Sequence, residues 1–369
     1  MNAKGIFCIL DALDECEGKG RSLLTNALCQ LYDPESTESP PTVKFLLTSR
    51  PYDYVRRDFR ILESRLPTIH LSGENEAEVD KICREIDIVI NVKVDELGEN
   101  LQLSQDERQR LQQELTRTPH RTYLWVYLVF DMISDLWSTC TTTDELRLST
   151  RMLPRTVEAA YDKILCKSPN QEKAKQLLHI IVAAYTPLYL EEVELALAIR
   201  ENHQTYTDLG LRGKDQFRKT VRELCGLFVT IVDSKVYLLH QTAREFLIKQ
   251  QASDEPENPS QEIGGLRWKF SLNLLESHRI LAKICIYYLL FQEFQEYPIG
   301  GKHALRHDSF HYHRSANDVF ISYSATYWLT HWRLAQIRDD EPIQRLLFRL
   351  FDPSVDLDMT WHIIWTISG

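Results

Sequence analysis

FCILDALDEC, Phe7 to Cys16, is the stretch that decides how the chain folds. Four apolar residues run from Phe7 to Leu10 and stop at Asp11, and Asp14 and Glu15 follow within three or four positions. A short continuous apolar run bounded by a polar break is the pattern of a strand buried on both faces, as strands of parallel sheets are. KFLLTSRP, Lys44 to Pro51, repeats the pattern and ends in Thr48, Ser49 and Arg50. Between the two, Leu24, Ala27, Leu28 and Leu31 fall on one face of a helix from about Ser22 to Leu31, and a loop with Pro34, Pro40 and Pro41 follows it. Strand, helix and strand at this spacing predict an α/β unit with a parallel sheet. Thr68 to Leu71 is a weaker candidate for a third strand.

Beyond Ser72 the periodicity is helical. Helices are predicted from Glu74 to about Glu96, Gln105 to Leu115 and Arg121 to Leu136, the last rich in buried-type aromatics (TYLWVYLVF, Thr122 to Phe130). LPRTVEAAYDKIL, Leu153 to Leu165, places Pro154 at a first helical position and Val157, Ala160, Tyr161 and Ile164 on one face. Helices continue at Glu172 to Ala184, Tyr189 to Arg200 and Phe217 to Cys225. LFVTIVDSKVYLLH, Leu227 to His240, then reads as a hairpin turning at Asp233 and Ser234. Helices followed by a hairpin make a winged-helix domain, which a helix carrying Ala243, Phe246 and Leu247 leaves. Further helices are expected at Trp268 to Leu290, Val319 to Gln336 and Pro342 to Phe351. The expected organisation is an α/β portion at 1–72, a helical domain at 73–153, a winged-helix-like domain at 154–250, a polar Pro-containing linker at 251–264 and a C-terminal helical region at 265–369. No internal repeat is found.

The 369 residues hold 43% hydrophobic and 26% charged positions, which excludes disordered and fibrous classes. A net charge of -10 leaves no global footprint for nucleic acid or an anionic membrane. No run reaches the roughly 18 to 20 apolar residues of a membrane helix. The N-terminal apolar run meets an aspartate too soon, and lacks the small-residue cleavage site, for a signal peptide. The eight cysteines lack paired spacing and several lie in apolar periodic segments, so reduced cysteines in a cytoplasmic protein are expected.

An aspartate at the C-terminal end of a parallel strand stands where open α/β sheets bind ligands. Asp11 is so placed to hold hydrated Mg²⁺, and Glu15 or Asp14 to orient a water. Three acids capping a turn are the alternative. Arg50, at the end of the neighbouring strand, brings a cation to the same edge, either as a phosphate contact or as a salt-bridge partner.

Together these stretches resemble the NACHT branch of STAND nucleotidases, a P-loop NTPase family. FCILDALDEC resembles its extended Walker B, with the small Ala12 after the metal aspartate and Asp14 and Glu15 following. FLLTSRP is similar to its sensor-1 strand, and LWVYLVFDMI and LPRTVEAAYDKIL to its helical segment as fungal proteins carry it. YLLHQTAREFL, Tyr237 to Leu247, resembles the end of its winged-helix domain. The region from Ser271 to Ile337 is similar to helices that such proteins place before ankyrin or other repeats. The resemblance implies a nucleotide-gated switch of fungal NLR-like signalling, using ATP or ADP with Mg²⁺ and working through self-association or protein partners. Asp11 would be the metal ligand, Asp14 and Glu15 would position water, Arg50 would sense the γ-phosphate, and His240 would contact the β-phosphate of ADP.

The family also needs G-x-x-x-x-G-K-[ST] ahead of Walker B, whose backbone amides and lysine cradle the phosphates. EGKGRS, Glu17 to Ser22, fails the pattern because Gly20 stands where Ser or Thr belongs; IGGKH, Ile299 to His303, fails likewise. The expectation is therefore a chain truncated before Walker B, with its sheet incomplete and hydrolysis by it unaided not expected. A non-catalytic adaptor or decoy pairing with a full-length NACHT relative is the second reading. DNA binding through Arg218, Lys219 and Arg222 is the third, disfavoured by Glu223 and the acidic chain. His303, His307, His311 and His313 form a weak candidate zinc cluster.

Overall fold

The computed structural model describes residues 6–16, 18–32, 43–50, 52–66, 68–69, 76–119, 121–137, 142–249, 266–296, 319–337, 344 and 348–350. It is mostly helical with two small sheets and divides into two compact units, 1–81 and 82–369. The linker at 251–264, the four-histidine cluster and most of the helix expected at Pro342 to Phe351 lie outside the described residues.

In the first unit β1 (Ile6–Leu10) pairs in parallel with β2 (Val43–Leu47), joined through α1 (Gly18–Leu31), and α2 (Asp53–Arg65) follows. The register sets Ile6, Cys8 and Leu10 opposite Val43, Phe45 and Leu47 on one face. Leu10, Phe45 and Leu47 of that face pack with Leu13, Leu28 of α1 and Val55, Phe59 and Leu62 of α2. The opposite face presents Phe7, Ile9 and Leu46, which are 75%, 67% and 54% exposed, and β1 has no partner strand on its other edge among the described residues. Parallel strands normally lie between two covering layers, whereas among the described residues this sheet is covered on one side only. Sequence periodicity missed α2. Of the third strand expected at Thr68 to Leu71, Thr68 and Ile69 hold no strand, with Ile69 89% exposed, and the other two residues lie outside the described residues. β-propensity over so short a run does not fix a strand that no neighbour pairs.

The second unit takes most of α3 (Glu76–Asn100), whose first turns fall in unit 1, and continues with α4 (Gln105–Thr116), α5 (Tyr123–Trp137) and α6 (Thr143–Arg151), the last also unforeseen. Ile86, Ile90 and Val94 of α3, Leu111 and Leu115 of α4 and Trp125, Val129 and Ile133 of α5 form one core. Ser104 and Thr142 start α4 and α6 with capping boxes closed by Glu107 and Glu145. Leu128 and Met132, on another face of α5, enter a second and larger core.

That larger core is built by α7 (Val157–Cys166), α8 (Gln171–Ala183), α9 (Leu190–Ala198), α10 (Lys214–Cys225), the hairpin of β3 (Val229–Val232) and β4 (Lys235–Leu238), and α11 (Gln241–Leu247). Pro154 does not open α7 as expected. Thr156 does, its hydroxyl accepting the Ala159 N–H at 3.1 Å, because a threonine cap satisfies an orphan donor that proline cannot. The hairpin turns where the sequence placed it. Asp233 and Ser234 have φ of 49° and 65°, the two positive values of a type I′ turn. Leu190 N–H donates to the Ser234 carbonyl at 2.7 Å and Val236 N–H to the Leu188 carbonyl at 2.9 Å, so the segment before α9 meets the edge of the wing in an isolated antiparallel bridge at Tyr189 and Lys235.

The C-terminal part holds α12 (Leu274–Leu289), α13 (Gln292–Glu296) and α14 (Ile321–Leu334). The helix expected from Trp268 starts only at Leu274, because Leu272 bridges to Ile248 and Asn273 caps α12, accepting from Leu275 and Glu276 at 2.8 and 3.3 Å. A buried polar chain fastens these helices. His278 Nδ1 lies 3.0 Å from His331 Nδ1, and His331 Nε2 lies 2.8 Å from the Tyr323 hydroxyl, which accepts the Tyr185 N–H at 3.0 Å. The proton arrangement that orphans no donor has Tyr323 donating to His331 Nε2 and His331 Nδ1–H donating to His278. Nearby, His179 of α8 and Ser277 of α12 share a 2.7 Å bond. Burial holds the imidazoles of His331 and His179 down at about 3 and about 4, and that of His278 below its ordinary value. Cys225 and Cys285 are fully buried thiols pushed up to about 12 by the same desolvation.

Candidate functional site

The C-terminal ends of β1 and β2 are tied together by backbone before any side chain is counted. Thr48 N–H donates to the Leu10 carbonyl at 3.0 Å, and Leu13 N–H donates to the Thr48 carbonyl at 2.9 Å. Ala12 lies between them in the left-handed region, φ 56° and ψ 51°. That reversal turns its amide onto the Thr48 hydroxyl at 3.0 Å, while the same hydroxyl donates to Asp11 Oδ1. A non-glycine residue adopts this backbone only at a cost, and the smallest side chain carries the least of it. Leu13, next in the chain, anchors the turn in the core at 7% exposure.

The three carboxylates thereby part company. Asp11 and Glu15 are exposed, whereas the Asp14 side chain is 5% exposed. Asp14 Oδ1 accepts the Arg50 N–H at 3.0 Å and the Ser49 hydroxyl at 3.4 Å, and Oδ2 lies 3.4 Å from Arg50 Nε. The other end of the Arg50 guanidinium donates to the Tyr52 hydroxyl at 3.0 Å. Tyr52 stacks on Tyr54 with ring centroids 5.3 Å apart, and Arg21 lies over the Tyr54 ring at 4.7 Å. Arg21 in turn bonds Asp58 at 2.9 Å. The result is a chain from Asp14 to Asp58 in which two stacked rings lie between two guanidiniums, and each guanidinium finds a carboxylate and a π-face.

The sequence brought Asp11, Asp14, Glu15 and Arg50 to one sheet edge, and the structure sets them there. Arg21, Tyr52 and Tyr54 were missed. The repeated tyrosine of RPYDY, Arg50 to Tyr54, was the available signal, legible only once α2 is recognised behind it. Asp11 with the Thr48 hydroxyl offers hard oxygen donors of the kind Mg²⁺ takes alongside water and phosphate oxygens. No group of three or more His, Cys, Asp or Glu side chains with metal-site geometry occurs among the described residues.

His240 belongs to the other unit. It ends the wing and caps α11, its Nδ1 accepting the Thr242 N–H at 3.2 Å and facing the Thr242 hydroxyl at 2.9 Å. The ring is exposed. On α10, Arg218, Lys219 and Arg222 stand with Glu223 on the side of the helix away from its buried Phe217, Val221 and Leu224. No helix of the described residues is long and apolar enough to cross a membrane.

Comparisons with known proteins follow the same segments. Residues 1–50 match the Nephrocystin 3, N-terminal family, residues 82–138 a domain of unknown function (DUF7069), and residues 161–256 the winged helix domain of GPI inositol-deacylase. The chain is 25% identical over 259 residues to Vegetative incompatibility protein HET-E-1 of Podospora anserina. That alignment takes in 69% of this chain and 17% of the relative, so the chain spans about a sixth of the length of the curated protein it matches. No solved structure matches. The resemblance carried by FCILDALDEC, FLLTSRP and YLLHQTAREFL is thus found independently along the chain, which is similar to the fungal NACHT-type proteins from its first strand through its winged helix.

Proposed function

We propose that these residues are part of a nucleotide-gated switch in a fungal NLR-like incompatibility protein, acting in the cytoplasm through self-association or protein partners. The observation that carries the reading is the joining of the Asp11 turn to Thr48 and Arg50 at one end of a parallel strand pair, within a chain whose segments match NACHT-associated families in order. Asp11, with the Thr48 hydroxyl beside it, would hold Mg²⁺, and Glu15 would orient a water. Arg50 would meet the γ-phosphate after exchanging Asp14 for it. His240 would contact the β-phosphate of ADP. When bound, the nucleotide supplies the anionic charge and the metal its neutralisation; the protein's share is placement.

The sequence holds no G-x-x-x-x-G-K-[ST], and the one-sided sheet supports reading it as part of a larger P-loop sheet. Residues 1–369 alone are therefore proposed to bind nucleotide weakly and not to hydrolyse it. Calorimetric titration of the purified chain with Mg²⁺-ATP and Mg²⁺-ADP tests this. Binding weaker than about 1 mM is expected, and a micromolar Kd would refute it. An adaptor pairing with a longer relative through the uncovered sheet face is the second reading, favoured by the exposure of Phe7, Ile9 and Leu46.

A further inference from the structure

His240 is not an isolated exposed imidazole. The hydroxyl of Thr242 that faces its Nδ1 at 2.9 Å lies 3.0 Å from the hydroxyl of Tyr161. Tyr161 is fully buried in α7, edge-on to Phe228 at 5.0 Å and tilted against Phe246 at 5.6 Å, so its ring is fixed by packing. Donor directions along the chain start from the amide and run back through the two hydroxyls. A backbone N–H can only donate, so the Thr242 amide requires a lone pair on His240 Nδ1. The Thr242 hydroxyl, nearer at 2.9 Å, shares that one lone pair as a donor when the buried Tyr161 hydroxyl donates to it in turn. The imidazole proton is left on Nε2.

We infer that Thr242 and Tyr161 are positioning residues that hold His240 as the neutral Nε2–H tautomer, presenting a single fixed donor to a phosphoryl oxygen. The ligand class rests on the nucleotide reading above; the tautomer and its supports rest on the geometry alone. The bond made by one ring nitrogen decides what the other can do, as for any histidine held from behind by a fixed partner. A donor oriented before the ligand arrives loses less rotational freedom on binding it.

Nitrogen NMR of the whole chain labelled at histidine, with His240 assigned by His240→Gln, reads the tautomer directly without any nucleotide. The wild type is expected to show one Nε2–H species and Thr242→Ser to keep it; Thr242→Val leaves only the longer 3.2 Å amide contact, and Tyr161→Phe frees the Thr242 hydroxyl to accept from an Nδ1–H, so both should shift the population toward an averaged mixture. A mixture in the wild type, or one unchanged tautomer across all three variants, overturns the positioning roles. ADP added to the wild-type sample tests the ligand class separately: a shift of the His240 Nε2 resonance supports it. Unmoved His240 resonances at an ADP concentration that shifts other signals refute the phosphate contact and leave the tautomer assignment standing.

Discussion

Acidification is expected to loosen the α12–α14 region, and the size of the effect follows from three buried histidines. His331 and His179 are 0% and 6% exposed, and burial depresses their protonation to about 3 and about 4, against 6.5 for a free imidazole. A group whose folded value lies below its unfolded one contributes full stability above the unfolded value and loses it as the pH falls. Between pH 7.5 and pH 5 the unfolded chain takes up a proton at each site that the folded chain refuses. Each histidine then costs about 1.36 × (6.5 − 5), or about 2 kcal/mol, and the pair about 4 kcal/mol. His278 adds in the same direction, disfavoured by burial and by the nearby Arg244. Tyr323 meets His331 from α14, with Cys285, Tyr327 and Glu192 around its hydroxyl, and Lys175 lies by His179. Hydrogen exchange of peptides from α8, α12 and α14 at the two pH values, corrected for intrinsic rates, measures the loss. His331→Gln and His179→Gln should each remove about 2 kcal/mol of the pH-dependent part while lowering stability at neutral pH. An equal pH dependence in the double variant would refute the reasoning.

Asp14→Asn is expected to destabilise the first unit by about 1–3 kcal/mol, since it strips the charge from a nearly buried acceptor of Arg50, whereas Asp11→Asn changes stability by less than about 0.5 kcal/mol; urea unfolding of the two variants compares them. Ala12→Val should cost about 1–2 kcal/mol and Ala12→Gly little or nothing, because only the former adds branched bulk at φ 56°; thermal unfolding of both separates backbone strain from lost contacts.

The strand ends, the hairpin and most helices were legible because each rests on a local rule: an apolar run cut by an acid, a two-residue turn, a stripe at 3.6-residue spacing. α2 was harder to read because DYVRRDFRILESR buries only Val55, Phe59 and Leu62, a thin stripe within a charged segment. Trp268 to Asn273 looked helical from its apolar residues, but Trp268 N–H is taken by Asp162 of α7 at 2.8 Å, a partner 106 residues away. The site was legible as residue types and illegible as an arrangement. Three acids in nine letters look alike in sequence, and what distinguishes Asp14 from Asp11 and Glu15 is the Arg50 amide and guanidinium. That contact spans 36 positions of chain. Thr242 and Tyr161 were invisible for the same reason, being 81 residues apart.

α5 sends Val129 and Ile133 into one core and Leu128 and Met132 into the other. Such a helix behaves as a shaft set in two bearings. Turning it by one residue, about 100°, would withdraw four interlocked side chains at once, at a cost of several kcal/mol. Force applied to α3 and α4 is therefore handed on to α7 and the wing with little play. Cutting the chain on either side of α5 to isolate one core would leave the other with an apolar socket and nothing to fill it.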